Sequence, residues 1–162
     1  MRQHRGFTLI ELLVVIAIIG VLAAILIPNL LNALGETKAT KTKVLIENMG
    51  TALDEYVKND RRGRYPADQG GEPWNTQNLV QALQDKNIYK FKDGDLKEIS
   101  TNVYELVDGW NQAMKYRVWK GVTNKTGAKN RDTYDLWSAG EDGVFDNDDD
   151  VTNWSSLEAA NP

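Results

Sequence analysis

The hydrophobic pattern changes character along the chain. From Phe7 to Ile27 the residues are apolar on every side, and the only polar members are Thr8 and Glu11. As a helix this run would span roughly 32 Å at ~1.5 Å per residue, enough to cross a bilayer. After Pro28 the pattern becomes one-sided. Leu45, Met49, Ala52, Leu53 and Tyr56 recur at helical spacing, while Lys43, Glu47, Asn48, Glu55 and Lys58 fall elsewhere. The two stretches together predict a helical rod from Phe7 to about Lys58, of order 78 Å at ~1.5 Å per residue. Gly20, Pro28 and Gly35 interrupt it. Proline lacks an N–H and clashes with the preceding turn, and glycine carries an entropic penalty, so the stretch from Gly20 to Pro28 is the weakest. A membrane helix tolerates such a kink.

Residues 59–77, "NDRRGRYPADQGGEPWNTQ", form a polar, Gly- and Pro-rich loop leaving the stem. Leu79, Val80, Leu83 and Ile88 then predict a short second helix with Thr76 as its cap. Strand-like sequence follows. In "MKYRVW" Met114, Tyr116 and Val118 alternate with Lys115, Arg117 and Trp119, and "TYDLWS" from Thr133 to Ser138 has the same character. The intervening "KGVTNKTGAKNRD" reads as a hairpin loop. Trp74, Trp110, Trp119, Trp137 and Trp154 are spread through this region and are assigned mostly to core or sheet-edge packing. The expected architecture is α+β, one long helix packed on a small antiparallel sheet.

Composition narrows the chemistry. The 162 residues include no cysteine, which excludes disulfides, zinc-thiolate sites and thiol catalysis. The one histidine, His4, precedes the apolar run, which argues against most hydrolase mechanisms. Net charge is -4, so the balance does not suggest nucleic-acid binding, for which a basic footprint would be expected. The acidic excess is local: Glu141 to Asp150, "EDGVFDNDDD", holds six carboxylates and no Lys or Arg.

An ordinary secretory signal has a shorter apolar core and a small-residue cleavage site. A plain anchor leaves Gly6 and Glu11 unexplained, since a carboxylate near the bilayer centre costs ~2.5 to 3.5 kcal/mol. Were the chain cut after Gly6, Phe7 would carry the new terminal ammonium, one helical turn from Glu11. In a stack of such helices the Glu11 carboxylate of one subunit would neutralise the terminal amine of its neighbour. The short basic leader followed by Gly6, Phe7, Thr8, Leu9, Ile10 and Glu11 resembles the type III signal of type IV pilins and pseudopilins. That resemblance implies a prepilin peptidase cutting between Gly6 and Phe7 and N-methylating Phe7. It also implies a single-pass inner-membrane intermediate with a periplasmic C-terminal domain, and a Gly20 to Pro28 segment that unwinds in the filament as the alternative to a mere kink. Charge bias does not set the orientation, because Lys38, Lys41 and Lys43 follow the span as closely as Arg2 and Arg5 precede it.

Further along, "GRYPADQGG" from Gly63, "DGWNQAMKYRV" from Asp108 and "YDLWSAGEDG" from Tyr134 resemble landmarks of the major pseudopilin of type II secretion systems. The chain departs from that family's "D-P-W-G" turn at Gly109 and Asn111, and 85–107 has no familiar counterpart. The absence of Cys removes the disulfide-bounded loop common in type IV pilins. The resemblance implies a type IV pilin-like fold divided into a leader at 1–6, a membrane and filament-core helix at 7–28, an amphipathic stem at 29–58 and a globular region at 59–162. It further implies a homopolymer filament, minor pseudopilins and an inner-membrane assembly platform as partners, besides the peptidase and membrane lipid.

The acidic run has two readings. It is a solvated face, or a loop whose six like charges are relieved by a hard divalent cation with oxygen ligands. Asp146, Asp148 and Asp150 have EF-hand spacing, but Val151 stands where the turn glycine belongs and Leu157 where the bidentate Glu belongs. The resemblance implies instead the family's calcium loop, within 135–154. Asp142, Asp149 and Asp150 would be ligands together with the backbone carbonyl of Ala139, and Asp146 and Asp148 would lie outside.

Three functions are carried forward: a non-enzymatic pseudopilus subunit for protein secretion, a type IV pilus major pilin, and a membrane-tethered periplasmic enzyme using carboxylates such as Glu141 and Asp142. The last lacks any His, Cys or nucleophile motif, and adjacent carboxylates rarely flank one substrate.

Overall fold

The computed structural model describes residues 9–67 and 74–154. Its elements run α1 (Leu9–Asn59), α2 (Gln77–Asp85), β1 (Leu96–Ser100), β2 (Val103–Leu106), β3 (Lys115–Val118), β4 (Tyr134–Ser138) and β5 (Val151–Thr152). The chain divides into two compact units, Met1–Glu36 and Thr37–Pro162.

In the first unit the described residues are all α1, helical through both Gly20 and Pro28. Its large apolar side chains are exposed, from Leu9 at 82% to Leu34 at 49%. That is the surface of a segment made for an apolar solvent or for other apolar helices.

In the second unit the one-sided pattern of the stem has its expected effect. Leu45, Ile46, Met49, Ala52 and Leu53 are buried and share a core with Leu79, Val80 and Leu83 of α2, Leu106 of β2, and Met114, Tyr116, Tyr134 and Leu136 around β3 and β4. Each fully buried Leu or Met contributes roughly 1.5–3 kcal/mol relative to exposure. The α+β expectation stands, with two antiparallel sheets in place of one: β1 with β2, and β3-β4-β5. Tyr116 lies opposite Leu136, and Val151 opposite Ser138.

Three local expectations need correction. Thr76 precedes α2 but makes no side-chain cap. Its hydroxyl accepts instead from Leu106 N at 2.7 Å, tying α2 to β2, while Asn75 Oδ1 accepts from Gln77 N at 3.2 Å. Ile88 lies beyond α2, which ends at Asp85. Strict alternation also fails on the outer sheet face. Trp119, Asp135 and Trp137 are as buried as the core residues, because the β3–β4 loop folds back onto Asp135, Arg117 lies over Trp119, and Trp74, Phe145 and Trp154 pack on Trp137. Lys129 N and Asn130 N donate to the two oxygens of Asp135 at 3.0 and 2.8 Å, and Trp119 Nε1 donates to the same carboxylate.

Candidate functional site

Gly6 and Phe7, the expected cleavage and methylation residues, lie outside the described residues. Glu11 sits in the first turn of α1 and is exposed among apolar neighbours.

The turn after β2 fastens the sheets to the stem. Asp108 is buried; its Oδ1 accepts from Trp110 N and Gln112 N at 2.8 and 2.9 Å, and its Oδ2 accepts from the Ser138 hydroxyl at the end of β4. Gly109 N donates to the Thr42 hydroxyl at 2.9 Å, and that hydroxyl donates to Lys38 O. A Cβ on Gly109 would stand 2.3 Å from Lys38 O, so the turn meets the helix backbone directly. Asn111 has φ +64°, the left-handed region that Asn tolerates better than most side chains. Both departures from the "D-P-W-G" pattern thereby have a local reason: proline would bring a Cβ into Lys38, and Asn serves where the pattern has Gly.

Downstream of Ser138 the acidic loop is built around its own backbone. Gly140, with φ +67°, has no room for a Cβ, which would lie 2.4 Å from Asp149 O. Asp149 Oδ2 accepts from Glu141 N at 2.7 Å and Asp142 N at 3.2 Å, closing the two ends of the loop on each other. Asp142 accepts from Val144 N and Asn147 Nδ2, both at 2.8 Å. Asp150 Oδ2 accepts from Asp146 N at 2.9 Å. The other oxygen, Asp150 Oδ1, is buried with no hydrogen-bond partner. Burial, with the charges of Asp146 and Asp149 behind it, pushes the Asp150 carboxyl above the usual carboxylate range. A cleft of ≈ 320 Å³ beside it is lined by Asp146, Asp148, Asp150, Lys129 and Trp154.

Of the expected ligands, Asp142, Asp149 and Asp150 are thus gathered in one loop, and Ala139 is buried at its base. Among the described residues no three His, Cys, Asp or Glu side chains converge as a metal-holding group. Asp142 and Asp149 face the loop's own donors. The orphaned Asp150 oxygen is the feature that fits a cation, since a desolvated carboxylate oxygen needs either a donor or a positive charge.

An aromatic and cationic layer over the outer sheet face escaped the sequence reading. Arg117 lies 4.3 Å from the ring centre of Trp74 and 3.9 Å from that of Trp119, and Lys115 lies 3.9 Å from that of Phe145. Trp137 stacks obliquely with Trp74 and Trp154, at 5.8 and 5.6 Å between ring centres. Alternating Lys115, Arg117 and Trp119 was the available signal, but only Trp74, Phe145 and Trp154, brought in from distant segments, make it a layer.

Comparison with known proteins bears on the family of the chain. The family model for the prokaryotic N-terminal methylation motif matches residues 1–27, and that for type II secretion system protein G matches 29–154. A type II secretion system core protein G of Pseudomonas aeruginosa is 35% identical over 156 residues, covering 96% of this chain and 98% of that protein. Its namesake in Escherichia coli is 32% identical over 154 residues, covering 94% and 92%. A type IV major pilin protein, PilA, of Myxococcus xanthus is 42% identical over 60 residues, which is 37% of this chain and 27% of the pilin. No solved structure matches. Similarity to that pilin is confined to part of the chain, whereas similarity to the core proteins G spans nearly all of it, so the chain belongs to the type II secretion system protein G family.

Proposed function

We propose that this protein is a structural subunit, not an enzyme, that polymerises into a periplasmic pseudopilus serving type II protein secretion. The observation that carries this reading is the near full-length similarity to core proteins G. The exposed apolar surface of α1 supports it, because that surface suits first the inner membrane and then the packed centre of a filament. A prepilin peptidase would cut between Gly6 and Phe7 and methylate Phe7, consistent with the methylation motif at 1–27. In the filament Glu11 would face the Phe7 amine of a neighbouring subunit. The span would place the C-terminal domain in the periplasm, beside an assembly platform and minor pseudopilins.

Calcium would be held by Asp150 through its orphaned oxygen, with Asp142, Asp149 and the Ala139 carbonyl supplying further oxygens. The ion would supply no chemistry beyond charge neutralisation, which lets a loop of six carboxylates stay closed.

Deleting the gene and following secreted proteins tests the reading. Cargo should accumulate in the periplasm, and overproduction should give filaments made of this chain. Normal secretion with loss of surface pili and twitching would instead establish a pilus pilin.

A further inference from the structure

The second unit carries two exposed clusters of opposite sign at separate places along the stem. At the far end of α1 the turn after Asn59 exposes Arg61, Arg62 and Arg64, and Lys120 joins them by donating from Nζ to Gly63 O at 2.8 Å. Asp60 is the acid of this turn; it accepts from the N–H groups of Arg62 and Arg64 and lies 3.7 Å from the Arg64 side chain. The acidic loop belongs to the opposite end. It starts where β4 ends, at Ser138, which is fastened through Asp108 and Gly109 to Thr42 and Lys38. Gln112 of the same turn donates to Gly140 O at 3.3 Å. From Thr42 to Asn59 the helix rises roughly 26 Å at ~1.5 Å per residue.

That separation decides how the charges act. At physiological salt exposed charges are screened beyond about 8 Å, so the two ends of one chain do not neutralise each other. Contact between chains does. Two arginine turns repel, and so do two acidic loops, which leaves turn against loop as the favoured arrangement. We propose that the Arg61–Arg64 turn with Lys120 is a docking surface for the acidic loop of another copy of this chain, through Glu141, Asp146 and Asp148. These three acids are exposed and are distinct from the assigned calcium ligands. The proposal rests on the homopolymer reading above. Exposed ion pairs contribute little each, so the contact sets register and polarity while the apolar helices supply cohesion.

The cysteine-free chain allows a direct test. Full-length protein carrying Arg62→Cys and Asp148→Cys together should give a ladder of covalent multimers when assembled filaments are mildly oxidised. Either substitution alone should give no ladder. In parallel, Arg61→Glu with Arg62→Glu and Arg64→Glu should lower filament yield at least several-fold, as should Glu141→Lys with Asp148→Lys. Combining both sets in one chain restores opposite charges at the two ends and should recover assembly. Filaments that form normally but give no ladder would overturn the docking surface and leave the polymer reading standing. A combined reversal that assembles no better than either set alone would overturn the docking surface in the same way. Wild-type protein that never forms filaments would overturn both.

Discussion

Gly109 lies against Lys38 so closely that the smallest side chain would reach 2.3 Å from the Lys38 carbonyl oxygen. Contacts this short do not occur between real atoms, so Gly109→Ala must push the 108–112 turn off the stem. Overpacking of this kind costs about 1–3 kcal/mol. The loss should appear as a lower denaturation midpoint in a fragment beginning at Thr37, which holds the second compact unit. An unchanged midpoint would show that the turn does not rest on the helix.

Calcium should raise the melting temperature of the same fragment, because the native loop binds and the unfolded chain largely does not. At a hundredfold excess over Kd the gain is about 2.7 kcal/mol. Magnesium should give less, since its compact octahedron dehydrates reluctantly. Asp150→Asn should remove the calcium response without loss of stability in chelator, since the half-buried charge disfavours the fold when no cation faces it. Asp149→Ala should lower stability even in chelator, because Asp149 caps Glu141 N and Asp142 N. Asp148→Ala should leave the response intact. Identical melting curves with calcium and with chelator would remove the ion from the proposal.

Tyr134 should make the fold sensitive to alkali. Burial, helped by the Asp54 charge and by Tyr65, pushes its phenol up to about 12 from 10.0. The unfolded chain then loses this proton first, so stability holds below pH 10 and falls between pH 10 and about 12. The loss is about 2–3 kcal/mol over that window. Tyr134→Phe should flatten the decline in melting temperature across it. An equal decline in both proteins would place the sensitive group elsewhere.

Processing and assembly give the remaining expectation. The mature chain should begin at a methylated Phe7, and loss of Arg2 and Arg5 should take the formal charge from -4 to -6. Mass spectrometry of purified filaments reads this directly. Glu11→Ala should insert in the membrane and fold as wild type, yet assemble at a small fraction of wild-type yield. Wild-type yield from Glu11→Ala would remove the amine–carboxylate pairing.

The two regimes of the helix were legible from sequence because hydrophobic periodicity is local: an apolar run at Phe7–Ile27, and a stripe from Leu45 to Tyr56 whose Leu45, Met49, Ala52 and Leu53 became core and whose Tyr56 packs half-buried against it. The β3 and β4 strands announced themselves likewise. The β1–β2 hairpin did not, since its exposed face carries little apolar signal; its Thr101–Asn102 turn, with Asn102 at φ +60°, was the one local mark. Asn153 reads as half of a glycosylation sequon, yet in the fold it donates to Tyr134 O and accepts from Leu136 N, extending the sheet edge. The acidic loop was evident as a cluster of charge. Which oxygen is left without a partner was decided by the closure of Asp149 on Glu141 and of Asp150 on Asp146. Likewise Gly109, Thr42 and Ser138 meet only because the turn at Asp108 joins segments distant in the chain. Spacing along a chain encodes which face of an element is apolar. Which polar atoms find partners depends on segments that only folding brings together.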